Sequence, residues 1–320
     1  MQAHPSLVRR CLLLGLGALA CGPALAQPQT IKIVVPFPPG GVTDVAARAL
    51  AERMSRVLGE TLIVENRAGA GSRIGIDAVA RSAPDGRTLL FTNTSYSILP
   101  IVDPTARYEP TRLLAPVALA GTYSLSVVVS NKLPVSDLQG LIDYARSHPG
   151  KLSYGSAGQG SGTHFAGEYF KLLTGTNMVH VPYKSTAAAA ADVAAGLLDL
   201  TFDAASKAYA DAGKVRILAV TGSRRDPRMP AVPTVAEAGL PAFTLDSWLG
   251  LLAPQGLPKP MMERLERAAA TALADPGLRR TLEDLGVSAA SGEPGQLGRA
   301  IGEDVTLYRR IVAQAKIRIE

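Results

Sequence analysis

The 320-residue chain reads as an α/β protein of two lobes, each a mainly parallel sheet flanked by helices, with two hinge crossings between them. Three observations carry that expectation. Between residues 31 and 92, β-branched runs alternate with helical apolar stripes in a βαβαβ order. A second alternating unit follows over 125–221. Two long amphipathic segments close the chain at 259–274 and 295–315, and they need a sheet face to bury against. The first unit is the natural host, so the chain crosses between lobes near 121–124 and again near 243–248. A mature length of roughly 294 residues also exceeds one typical core.

Residues 1–26 read as a secretory leader. Arg9 and Arg10 supply its positive region, 11–20 its apolar stretch, and Ala24-Leu25-Ala26 a small-x-small cleavage site. The apolar stretch is too short for a stable membrane span. Twin-arginine export and lipidation at Cys21 stand as alternatives to ordinary secretion. Next, Ile31 to Val35 suits a buried strand, ended by Pro38, Pro39, Gly40 and Gly41. Thr43 or Asp44 is placed to cap the following helix, 45–58, whose stripe is Leu50, Met54, Val57 and Leu58. A strand at 61–64, a glycine-bearing loop at 65–72, a helix at 74–83, a turn at Pro84-Asp85-Gly86 and a strand at 88–92 complete the first unit. The second unit has strands at 125–129, 152–154, 179–183, 200–203 and 215–221, with helices at 137–147, 163–173 and 187–195. Its glycine-rich stretch, 155–162, again links a strand to a helix that Ser161 or Thr163 can cap.

Composition narrows the chemistry. Cleavage of the leader removes both cysteines, leaving no thiol, disulfide or cysteine metal site. Losing Arg9 and Arg10 from 33 basic residues leaves 31 against 27 acidic, a formal +4 without any basic block, so no nucleic-acid partner is expected. No cofactor is expected either. Gly158-x-Gly160 lacks a glycine at Thr163, Gly69-x-Gly71 fails at Ile74, and Gly213-Lys214 is followed by Val215. The remaining histidines, His148, His164 and His180, have no metal-ligand spacing. Catalytic residues are not expected: no Gly-x-Ser-x-Gly elbow occurs. Ser161 and His164, three apart, read as a helix-start serine and a first-turn histidine before they read as nucleophile and base. No long apolar surface helix demands a partner, which points to a monomer. What remains is a pair of glycine-rich βα turns, one per lobe, each offering backbone N–H donors at a helix start to one anion across a hinge.

Several motifs occur together and in order. They are Pro36-Phe-Pro-Pro-Gly-Gly-Val-Thr-Asp-Val-Ala-Ala-Arg48, Val64-Glu-Asn-Arg-Ala-Gly-Ala-Gly71 and Pro84-Asp-Gly-Arg-Thr-Leu-Leu90 in the first unit. Tyr154-Gly-Ser-Ala-Gly-Gln-Gly-Ser161 with His164, Val181-Pro-Tyr-Lys184, and Leu218-Ala-Val-Thr221 before Val232-Pro-Thr234 follow in the second. This set resembles the substrate-binding receptors of tripartite tricarboxylate transporters, the Bug-type periplasmic proteins, over essentially the whole mature chain. The resemblance implies a type II-like periplasmic binding fold, with lobe 1 at 27–122 plus 245–320 and lobe 2 at 123–244. It implies that Phe37, Pro39, Gly40, Gly41, Thr43 and Asp44 grip a ligand carboxylate together with Ser156, Gly158, Gly160, Ser161 and His164, with Asp203 at the cleft floor. His164 has an equal claim to a structural role holding its loop.

The chain departs from that family pattern in three places. Asn93 to Pro100 replaces a stretch with His and an Asn-Pro pair, Ser185 stands where Gly is usual, and 204–211 is about two residues short. These segments would meet the distal part of a ligand, with Asn93, Ser95, Tyr96 and Lys207 as contacts and Lys207 as counter-ion for a second carboxylate. The expected function is a periplasmic receptor that closes on a small mono- or dicarboxylate for membrane transporter subunits or a sensor kinase. The alternative is a secreted serine hydrolase using Ser161 or Ser156 with His164 and Asp203.

Overall fold

Ile31–Val35 (β1) is buried on both faces because it sits inside a parallel trio, between Leu62–Asn66 (β2) and Thr88–Asn93 (β3). The computed structural model describes residues 30–103 and 105–315, so the leader expected at 1–26 lies outside the described residues. The helices Val42–Leu58 (α1) and Arg73–Ala80 (α2) make the two crossover connections.

Beyond β3 the sheet continues antiparallel. Asp246–Pro254 (β10) pairs with β3 and with Leu114–Ser124 (β4), and Ser288–Ala289 (β11) closes the edge. The second sheet is likewise mixed. Ser153–Ser156 (β6) runs parallel to Val179–Pro182 (β7) and Leu200–Asp203 (β8), while Ser126–Ser130 (β5) runs antiparallel to β8 and to Val215–Val220 (β9). Two α/β lobes are therefore present, but each sheet is mixed where mainly parallel sheets were expected. Only strands joined by a crossover helix run parallel; those leading to and from the hinge pair directly and antiparallel.

Helices of the second lobe are Leu138–Ser147, Gly162–Thr174, Thr186–Ala195 and Lys207–Asp211, here α5 to α8. Two short helices, Ser95–Val102 (α3) and Pro110–Leu113 (α4), follow β3, and Lys259–Leu273 (α9), Pro276–Asp284 (α10) and Gln296–Ala315 (α11) end the chain. One core gathers Ile33, Leu50, Met54, Phe91, Leu251 and Leu265; the other gathers Val127, Tyr154, Phe170, Phe202 and Phe243. Among the described residues, no helix is long and apolar enough to cross a membrane.

Sheet membership changes at Leu125 and Leu245, and we propose these positions as the lobe boundaries. Thr221, fully buried, ties the two crossings together. Its hydroxyl accepts from the Leu125 N–H at 3.0 Å and donates to the Leu245 carbonyl at 2.7 Å. The last helix also spans both lobes, rather than packing on the first alone. Leu297, Ile301 and Val305 of α11 pack in the first lobe, whereas Tyr308 stands edge-on to Phe165 of α6, 4.8 Å between ring centres.

Candidate functional site

The carboxyl ends of β1, β3, β6, β7 and β8 converge on the cleft, the position where open α/β sheets carry their sites. An inner cavity of about 110 Å³ lies there, lined from the first lobe by Phe37, Gly40–Thr43 and Asn93 and from the second by Ala157, Ser161, Thr163 and Asp203.

The first-lobe wall is the open start of α1. Gly41 is its N-cap residue, in extended conformation (φ −81°, ψ 168°), with no side-chain cap. Thr43 and Asp44, expected to cap, are engaged elsewhere. Thr43 Oγ1 accepts from Asn93 Nδ2 at 3.2 Å. Asp44 Oδ2 accepts from the Gly40 N–H at 2.9 Å and from Arg48 Nε at 3.1 Å, and its Oδ1 accepts from Asn66 Nδ2 at 2.8 Å. Burial alone would raise the Asp44 pKa, but the Arg48 and Gly40 hydrogen bonds outweigh it and hold the carboxyl below its ordinary value. Asp44 thus shapes the loop and does not cap the helix. Among the described residues, the N–H groups of Gly41, Val42, Thr43 and Asp44 have no acceptor. Gly40 needs its glycine, with φ +91°; at Gly41 a side chain would meet open space.

The second-lobe wall differs. Most amides of its glycine-rich loop are bonded internally. Ala157 N–H donates to Thr163 Oγ1 at 2.9 Å, Gly158 N–H to Ser156 Oγ at 3.1 Å, and Gly160 N–H to His164 Nδ1 at 3.3 Å. Ser161 caps α6 by accepting from the His164 N–H at 3.2 Å. The lobes are joined directly where Gly162 N–H donates to Ser95 Oγ at 3.1 Å, and Asn93 Oδ1 holds the Ser95 N–H at 3.0 Å.

The structure brings Phe37, Gly40, Gly41, Thr43, Asp44, Asn93, Ser95, Ser161 and Asp203 together around the cavity. It sets Pro39, Ser156, Gly160 and His164 outside its lining, and Gly158 lines a second chamber. His164 lies behind the loop it holds. Asp203, 2 % exposed, accepts from the Ala205 N–H at 3.0 Å and from Ser206 Oγ at 2.6 Å, so it also orders the loop after β8. Tyr96 is a core residue, not a ligand contact: it is fully buried and its phenol donates to the Pro110 carbonyl at 2.8 Å. Lys207 pairs with Asp211 at 2.5 Å on the surface of α8 and does not face the cleft. Sequence reasoning missed Lys184, the only Lys or Arg among the described residues that line the cavity. Its signal was its place two residues after β7, at the same carboxyl edge as the other site residues.

Serine–histidine proximity does occur, at Ser156 Oγ and His180 Nε2, 2.7 Å apart, but Ser156 is fully buried beneath the loop. Ser161, the more accessible candidate, is engaged as a helix cap. Among the described residues no group of three His, Cys, Asp or Glu side chains could hold a metal ion.

Comparison with known proteins agrees with this geometry. Residues 46–317 match the family described as "Tripartite tricarboxylate transporter family receptor". A relative from Pseudomonas sp. strain P51, the "UPF0065 protein in tcbD-tcbE intergenic region", is 36 % identical over 292 residues, covering 90 % of this chain and 87 % of its own. The solved structure of the periplasmic binding protein BugD superposes with a TM-score of 0.85 at 32 % identity, covering 90 % of this chain and 98 % of that one. MatC from Rhodopseudomonas palustris with bound malate gives 0.84 at 32 % identity (88 % and 98 % covered), and Rpa4515 of R. palustris with adipate gives 0.85 at 32 % (91 % and 99 %). The chain belongs to the receptor family of the tripartite tricarboxylate transporters.

Proposed function

We propose that this protein is a periplasmic receptor that captures a small organic carboxylate between its lobes and delivers it to a tripartite tricarboxylate-type membrane transporter. The observation that carries this reading is the open start of α1, the unpaired N–H groups of residues 41–44 at a helix terminus that lines an interlobe cavity. Such a terminus favours an anion through its dipole and its donors, and hydrogen bonds to a charged group contribute about 1.5–3 kcal/mol each. Malate and adipate in the related structures fit the same chemistry. The leader read at 1–26 supports export, and the family supports the transporter as partner.

A thermal-shift screen of the purified protein against mono- and dicarboxylates tests the reading. A matching acid at a hundred times its dissociation constant stabilises the fold by about 2.7 kcal/mol. Gly41→Leu fills the cavity from a position whose backbone accepts any residue, so it should fold normally and lose the shift. Stabilisation that survives in Gly41→Leu would place the ligand elsewhere and sink the proposal.

A further inference from the structure

Behind the hinge lies a cavity of about 340 Å³ that the carboxylate reading leaves unused. One wall belongs to the first sheet. Asp246 of β10 stands opposite Ser124 of β4, and Ser288 of β11 opposite Thr122, so these four side chains share one face. Tyr123 and Ser247 lie on the other face, where the Tyr123 phenol adjoins Asn93 of the cleft. The crossing strands therefore stand between this cavity and the cleft. The other wall is the loop after β9, with Ser223, Arg224, Arg225 and Asp226.

Arg228 fixes the two walls against each other. Its guanidinium is held by Asp226 at 2.6 Å and donates across to the Asp284 carbonyl, the last of α10, at 3.0 Å. It lies over Gly286, where a Cβ would collide with it. Four charged side chains line the space, and two of them are already paired: Asp226 with Arg228, and Arg225 with Glu237 at 2.8 Å. Arg224 and Asp246 remain. Among the described residues neither has an ion-pair or hydrogen-bond partner, although they carry opposite charges and line one cavity. The hydroxyls of Thr122, Ser124, Ser223 and Ser288 are equally uncommitted among the described residues.

We propose that this rear cavity is a second ligand site, which takes a small zwitterion with the chemistry of an α-amino acid. The ligand's carboxylate pairs with Arg224, its ammonium group with Asp246, and the four hydroxyls meet its polar side chain. Unspent charges of both signs at one cavity select such a ligand over a simple anion or cation, either of which would leave one protein charge opposed. The site lies outside the cleft, so it is filled with or without a carboxylate bound there.

Calorimetric titration with L-serine tests it, with glycerate and ethanolamine as molecules that keep only the carboxylate or only the ammonium group. Gly41→Leu, whose cleft is filled, should bind serine as the wild type does, and should bind glycerate and ethanolamine at least about tenfold more weakly. Arg224→Ala and Asp246→Asn, both at exposed positions, should leave the melting temperature unchanged and each weaken serine by at least about tenfold. No binding of serine, equal binding of serine and glycerate by Gly41→Leu, or serine binding that both rear substitutions leave unaltered would overturn the inference. Serine binding lost in Gly41→Leu would place it in the cleft and overturn it as well. The receptor reading stands or falls separately, on acids that Gly41→Leu excludes and Arg224→Ala still binds.

Discussion

Behind the glycine-rich loop, the rings of His164 and His180 stack with centres 4.1 Å apart, and Tyr154 also stacks on His180 at 5.0 Å. Burial first, and the adjoining His164 second, push His180 down to about 4, against the pull of the Glu168 carboxylate; burial lowers His164 as well. Glu168 is itself engaged by the Tyr154 phenol at 2.6 Å and by Lys171 at 2.8 Å. The unfolded chain takes up a proton at His180 near pH 6.5, about the ordinary value, while the fold resists until about 4. The ligand-free protein is therefore expected to lose stability progressively from pH 6.5 down to 4. His180→Gln should flatten that fall in melting temperature; parallel profiles for the two proteins would contradict the expectation. At this scale the sequence is a partial guide. That Ser161 caps α6 was one of two readings left open by spacing, but Asp44 turning back to Gly40 depends on Arg48 and on Asn66 from the next strand.

Most elements joined by crossover helices were legible, because β-branched runs and helical stripes alternate there with clear turn residues. The strand 200–203 was read to the residue. The long hinge strands were not. β10 is buried along nearly its whole length and so shows no alternation, and β4 contains Pro116 and Gly121. Pro100 disguised α3 in the same way. These unread elements include both strands that Thr221 joins to the second lobe. Thr221→Val keeps the side chain's shape but leaves the Leu125 N–H and the Leu245 carbonyl short of a partner in a buried place. A loss of about 2 kcal/mol in denaturant unfolding is expected. A change below about 0.5 kcal/mol would mean that the tie contributes nothing to the fold.

The two-lobe arrangement could be inferred because terminal helices with an apolar stripe had to return to the first sheet. The sequence did not show that α11 continues onto the second lobe, since Tyr308 meets Phe165 only in the folded molecule. Nor could residue types alone separate the two walls of the cleft, one with free donors and one already bonded within itself. That asymmetry has a consequence for the medium in which the receptor works. In the proposed binding mode the head of the ligand meets backbone dipoles at short range in an enclosed space, with no side-chain cation aimed at it from α1. Interactions of that kind are screened far less than those between exposed charges, for which mobile ions set a range of about 8 Å at physiological ionic strength. The affinity of a monocarboxylate held at that terminus should accordingly stay level between roughly 0.02 and 0.5 M sodium chloride. A steep salt dependence for the monoacid in calorimetric titration would contradict this. In the proposed periplasmic setting, a compartment that shares its ions with the outside world changes in salinity whenever the surroundings do, and a dipole-based hold would let capture continue through those changes.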